Sequence, residues 1–236
     1  MKALSVQESE LLASRFRYEA GLSLTEPVHV KTLIRKLGIT AVYRPLSENS
    51  FGIGCKSSSG KKFILINSNS TRGRQHFTIA HELYHLFYEE HPVPHMCGAS
   101  FSSEERNANK FASALLLPRE GILSMMDPAE IAAHDVQLAT ILRMEQFFGV
   151  SRNTLLIRLK DIGLVTQKKM SELEAFPVKE SAKAYGYDLS LYEKGNEGLV
   201  IGDFGEKARC LYEAGKISEG HYEELLNMIC DAGAEG

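Results

Sequence analysis

The chain has 236 residues, 44% hydrophobic and 24% charged, with 27 Lys plus Arg against 30 Asp plus Glu and a formal charge of −3. That length holds one sizeable core or two modest domains, and the near-balanced charge gives no electrostatic reason to expect nucleic acid or an anionic membrane as partner. Four scattered cysteines without a CxxC pair, early acidic residues in place of an apolar leader, and no apolar run near the ~18–20 residues that span a bilayer point to a reduced, cytoplasmic protein.

Residues 5–20 carry Leu11, Leu12, Phe16 and Ala20 at helical spacing, and Gly21 suits the end of that helix. A second helix is expected over 28–37, opened near Pro27 and stopped by Gly38. Residues 39–43 and 62–67 (KKFILIN with its preceding lysine) are rich in β-branched and aromatic side chains and read as strands. The polar SNSTRG then opens a long helix over 75–89, ended before Pro92. A loop with Pro92, Pro94 and Gly98 leads to a helix over 103–116, closed by Pro118. Downstream, 136–165 holds two helical patterns around the turn Gly149-Val150-Ser151. Residues 187–204 read as a hairpin turning at Gly195, Asn196 and Gly198, and a terminal pair of helices flanks Gly215 and Gly220.

The chemistry-bearing segment is His81-Glu82-Leu83-Tyr84-His85, an HExxH. On a helix, positions i and i+4 lie about 40° apart on one face, so both imidazoles reach one ion. Glu82, roughly 60° from His85, reaches a water beside that ion. Zinc suits such a site because it lowers the pKa of water and leaves the carboxylate to take the proton. HExxH also arises by chance on amphipathic helices, so context decides. Strand 63–67 precedes the helix, as in zincin peptidases, where an edge strand pairs with the substrate backbone. Phe77, Ile79 and Ala80 are apolar enough to bury the helix, and a third ligand is available downstream.

His91 completes an HExxHxxxxxH, but that pattern turns the chain at a glycine where Tyr88 stands, and a continuing helix carries His91 away from His85. Glu105 is better placed. It shares a helical face with Ala108, Asn109 and Ala112, and small alanines let two helices approach closely. Glu104, about 100° round the helix, remains an alternative. So does a purely structural role for Glu105 in an S-x-x-E capping box with Ser102. His76, His95 and His134 read as surface or core residues, and Cys97 beside His95 as an opportunistic donor at most. Tyr84 and Tyr88 are both candidates to donate to an oxyanion.

Taken together, RGRQHFTIAHELYHLFY and EERNANKFASALLLP resemble the ImmA/IrrE family of metallo-endopeptidases. Its members show R-x-R-F-T-x-A-H-E-x-G-H, then E-x-x-A-N-x-F-A-x-x-L-L-x-P. The likeness takes in KLGI at 36–39, the ILIN strand and FFGVSRNTLLIRL, and covers residues 20–165. It places His81 and His85 on the family's zinc ligands, Glu105 on its third ligand and Glu82 on its catalytic base. Tyr84 replaces the usual glycine, where it bears on what the substrate cleft admits, and Asn107 stands where a glutamate is common. The resemblance implies an intracellular peptidase that cleaves a helix-turn-helix repressor and so induces genes of stress response or mobile elements. Composition and spacing are silent on that substrate.

Residues 139–164 resemble a helix-turn-helix. Arg143, Arg152, Arg158 and Lys160 against Glu145 and Asp161 leave a local charge of only +2, however. Packing on the peptidase or docking of substrate is therefore favoured over DNA binding. The expected architecture is α+β: a zincin-like peptidase domain (1–118), a helix-turn-helix-like helical module (119–166) and a small C-terminal region (167–236) without an assigned role. Two rivals stand beside the peptidase: a transcription regulator that uses 139–164 on DNA, and an antirepressor that binds its partner without cutting it. Nothing in the sequence sets the oligomeric state.

Overall fold

The computed structural model describes residues 3–47, 50–89, 95–98 and 102–230. The elements in chain order are α1 (Val6–Glu19), α2 (Val30–Lys36), β1 (Ile39–Arg44), β2 (Ser50–Lys56), β3 (Lys62–Asn67), α3 (Arg72–Tyr88), β4 (His95–Gly98) and α4 (Ser103–Leu116). There follow α5 (Arg119–Met125), α6 (Pro128–Ala133), α7 (Leu138–Phe148), α8 (Arg152–Asp161), α9 (Gln167–Glu174) and α10 (Val178–Ala184). A 3-10 turn (Ser190–Tyr192), β5 (Val200–Ile201), α11 (Phe204–Glu213) and α12 (Glu219–Cys230) complete the chain. The mixed α+β character expected from the sequence is what the structure shows.

The strands form one sheet in the order β4-β2-β3-β1-β5. β1 and β3 are parallel, with Ala41 opposite Ile64 and Tyr43 opposite Ile66, while β2 runs antiparallel to β3. Strand 62–67 is thus interior, and β4 is the outer strand on the β2 side. β2 is absent from the sequence expectations, for a physical reason: its inward positions are Gly52 and Gly54, and glycines inside a short run weaken the strand signal that Phe51, Ile53 and Cys55 alone supply. The bare face leaves room for α3, since a Cβ on Gly52 would meet Thr78 Cγ2 at 2.5 Å and one on Gly54 would meet Glu82 Oε2 at 2.5 Å.

One buried cluster links these layers. It takes in Phe16 of α1, Ile64 and Ile66 of β3, Ile79 and Leu83 of α3, Phe111 and Leu115 of α4, Ile141 and Phe148 of α7, Leu155 and Leu159 of α8, and Ile201 of β5. Arg17 (1% exposed) ties α1 to the end of α4, its Nε donating to the Leu115 carbonyl at 2.8 Å. Burial lowers its pKa to about 10.

The hairpin expected over 187–204 does not form. Its polar groups pair instead with the start of α3: Asn196 Nδ2 donates to Gln75 Oε1 at 2.7 Å, Gln75 Nε2 donates to the Gly195 carbonyl at 2.9 Å, and Arg72 N–H donates to the Glu193 carbonyl at 2.9 Å. What remains of the hairpin is β5, paired antiparallel with β1.

Helices α7 and α8 meet at Gly149 (φ 66°), and that turn packs on α3. A Cβ on Gly73 would meet Ser151 N at 3.0 Å, and His76 Nδ1 lies 2.9 Å from the Gly149 carbonyl. Two cations of this helix pair, Arg152 and Arg158, are buried against protein, while Arg143 and Lys160 are exposed. Arg152 Nε contacts Glu145 at 2.6 Å with both side chains buried, and Arg158 contacts the Leu117 carbonyl and Glu10. Arg143 donates to the Met125 carbonyl at 2.7 Å. No helix among the described residues is long and apolar enough to cross a membrane.

Candidate metal centre

α3 begins after Thr71 and runs without a break through the HExxH, its buried face including Ile79, Leu83 and Leu86. α4 packs against it, and Ala108 and Ala112, on the Glu105 face of α4, are fully buried. Because those side chains are only methyl groups, the Glu105 carboxylate arrives at the two imidazoles. Ser102 still caps α4, accepting from Glu105 N–H at 3.2 Å. The Glu105 side chain, however, lies at the histidines rather than completing the box. Among the described residues, His81, His85 and Glu105 form a group whose donor atoms all lie within 4.8 Å of one another, and all three are buried.

The separations suit a tetrahedral ion. Two imidazole nitrogens at ~2.0–2.1 Å from one zinc stand roughly 3.3 Å apart. His81 Nε2 and His85 Nε2 are 3.0 Å apart, and Glu105 oxygens lie 3.3 Å from the first and 3.5 Å from the second. The other ring nitrogens face acceptors: His81 Nδ1 meets Asn109 Oδ1 at 2.9 Å, and His85 Nδ1 meets Glu89 Oε2 at 2.7 Å. Each Nδ1 therefore carries the proton, which turns both Nε2 lone pairs toward the same point. Two bare lone pairs beside a carboxylate repel one another unless a cation stands between them. The His81 pKa reports the same preference. Burial lowers it, but the Glu105 hydrogen bond, with the charges of Glu82 and Glu105, outweighs burial and raises it above the ordinary value.

Glu82 is fully buried. Its carboxylate occupies the slot that Gly52 and Gly54 leave on β2. Glu104 takes a hydrogen bond from Ser103 at the first turn of α4 and is not part of the cluster. Tyr84 is buried in the packing of α3 against α4. It is 2% exposed, its ring 5.7 Å from those of Phe111 and Tyr88, and its hydroxyl is hydrogen-bonded with Asn107. Asn107 in turn accepts from Leu4 N–H at 2.8 Å. The two departures from the family pattern are therefore one contact: the Tyr84 phenol, where glycine is usual, bonds the Asn107 amide, where a glutamate is common. Tyr88, 5.4 Å from Phe111, also packs between α3 and α4. His134 ends α6 on the surface, while His91 and the side chains of His95 and Cys97 lie outside the described residues.

Sequence reading missed Glu89, Gly52 and Gly54, and named Asn109 only for its helical face. For Glu89 a signal existed: it stands four residues after His85, the same spacing that joins the histidines.

No curated protein matches the chain. A family model does: the IrrE N-terminal-like domain of peptidase family M78 matches residues 34–160, a span that runs from α2 through β2, α3 and α4 to α8. That span is more than half of the chain and contains all three clustered side chains together with Glu82, Glu89 and Asn109, and on it the chain belongs to the IrrE N-terminal-like, M78 family of peptidases.

Proposed function

We propose that the chain is a zinc-dependent endopeptidase in which His81, His85 and Glu105 hold Zn2+ and Glu82 is the general base. The observation that carries this reading is the convergence of His81 Nε2, His85 Nε2 and the Glu105 carboxylate, each Nδ1 engaged elsewhere. Two histidines and a glutamate form a donor set of catalytic zinc sites, with a coordination position left for water or substrate. Zinc, when bound, supplies Lewis acidity toward the scissile carbonyl and the attacking water. Glu82 takes the proton from that water and delivers it to the leaving amine. Gly52 and Gly54 keep the carboxylate against β2, and Asn109 and Glu89 hold the imidazoles in the tautomer that presents Nε2.

The substrate we assign is a helix-turn-helix repressor, cleaved in the cytoplasm; the family resemblance supports this assignment. Direct DNA binding through 139–164 is disfavoured, because Arg152 and Arg158 are 4% and 2% exposed and occupied by protein partners. Replacement of Glu82 by Gln tests catalysis against mere binding. Zinc content and repressor binding should survive, whereas cleavage should fall ~10²–10⁴-fold for loss of acid–base help. Full derepression by Glu82→Gln with the repressor intact on a gel would replace the peptidase by a binding antirepressor.

A further inference from the structure

A cleft of about 390 Å³ lies between α3, α4 and α8, and the proposed chemistry does not use it. Arg74, Arg106 and Lys110 line it, with Phe77 and Ile157 as apolar walls, and among the described lining residues Asp161 is the sole acid. The Arg74 guanidinium is held over the Phe51 ring, 3.9 Å from its centroid. Ser151, Asn153 and Thr154 bring the first turn of the ten-residue α8 to the same wall, and that end of a helix favours anions. Ser113, 7% exposed, also lines the cleft.

Asn109 closes the cleft on the side of the metal centre, where it meets His81 Nδ1. An occupant of the cleft therefore contacts the group that meets the His81 ring on the edge opposite Nε2. We propose that this cleft binds a small phosphate-bearing metabolite, and that occupancy tunes the metal affinity of the centre through Asn109. The cations of the lining and the first turn of α8 take the phosphate, Phe77 and Ile157 flank the organic body, and the volume suits a ligand of nucleoside monophosphate size. Only the coupling to metal rests on the zinc reading; binding does not.

The test uses the full chain, first stripped of metal and titrated calorimetrically with AMP and with inorganic phosphate. Zinc affinity is then measured by chelator competition with and without saturating AMP. AMP should bind at one site per chain, at least about tenfold more weakly in Arg74→Gln and Arg106→Gln, each lacking a charge-assisted contact. Ile157→Glu, an exposed change that sets a carboxylate in the cleft, should weaken binding without burdening the fold. Saturation should change zinc affinity, zinc should change AMP affinity by the same factor, and in Asn109→Ala, at AMP concentrations that saturate that variant, the factor should fall to one. The cleft assignment is overturned by three results: no binding of either probe at millimolar concentration, AMP binding indifferent to all three cleft variants, or capture of an acidic peptide there in place of phosphate compounds. AMP binding with unchanged zinc affinity overturns the coupling. A chain that takes AMP at the cleft but no zinc refutes the metal reading and leaves the binding site standing.

Discussion

Glu82 lies between two walls built on opposite terms. On one side α3 and α4 contribute atoms: two imidazoles, a carboxylate, and the amide and acid that orient them. On the other, β2 contributes the absence of atoms, two glycines whose missing side chains are the space the carboxylate occupies. Loss of function should differ accordingly. On the proposed reading, damage to the helical wall should remove the metal, while damage to the strand wall should leave the metal and misplace the base.

The largest effect is expected on the helical wall. His81→Ala, His85→Ala and Glu105→Ala should each lose stoichiometric zinc and cleavage together, whereas Glu104→Ala should lose neither. Metal analysis of purified protein beside a cleavage assay separates them. A Glu105→Ala protein that kept its zinc would return Glu105 to a capping role. Ser102 already caps α4 through its own hydroxyl, however, so little helix stability is at stake.

The strand wall should fail differently. In Gly54→Ala the new methyl meets Glu82 Oε2 at 2.5 Å and must push it aside. A displacement near 1 Å costs about 10²-fold in rate, so cleavage should fall by that order with one zinc retained. Gly52→Ala meets Thr78 Cγ2 first, at 2.5 Å, and Glu82 Oε1 at 3.1 Å, so it should lower the melting temperature as well. Normal cleavage by Gly54→Ala would show that the slot does not position the base.

That contrast also explains what the sequence made legible. The helical wall is written in side chains at fixed spacing: His81 and His85 one turn apart, then Ala108 and Ala112 clearing a path for Glu105. The strand wall carries no side chain to read, and the glycines that break up SFGIGCK leave it without the continuous β-branched and aromatic run that marked KFILIN. Contacts between distant segments were equally hidden. The turn signals at Gly195 and Asn196 were real, but their partners are Arg72 and Gln75, so no local pattern distinguishes them from a hairpin. Likewise Tyr84 and Asn107 read as two unrelated departures until α3 and α4 are packed together.

A smaller effect is expected one layer out from the metal. Asn109→Ala and Glu89→Gln leave all three ligands in place and weaken only the groups that fix ring orientation. Such losses cost ~10–100-fold in metal affinity, so both variants should purify with zinc and surrender it to weaker chelators than wild type does. Affinity equal to wild type in both would mean that packing alone orients the rings.

The smallest effect concerns the junction of α3 with the α7–α8 turn, where His76 Nδ1 lies against the Gly149 carbonyl. Burial lowers the His76 pKa; the Gly149 hydrogen bond partly opposes it, and Lys31 adds to it. The folded protein therefore binds this proton less readily than the unfolded chain, and linkage gives stability that rises with pH. The contribution is fully present above the ordinary histidine range near 6.5 and is lost as pH falls through the lowered folded value. His81 has the opposite sign, since its raised pKa favours the fold at low pH and that contribution disappears as pH rises. Zinc separates the two, because a ligated His81 is held neutral. Melting temperatures of zinc-loaded protein, taken from neutral pH downward but above the point of metal release, should fall with acidity. His76→Asn should flatten that fall without changing zinc content. An unchanged slope in His76→Asn would move the acid sensitivity away from this junction.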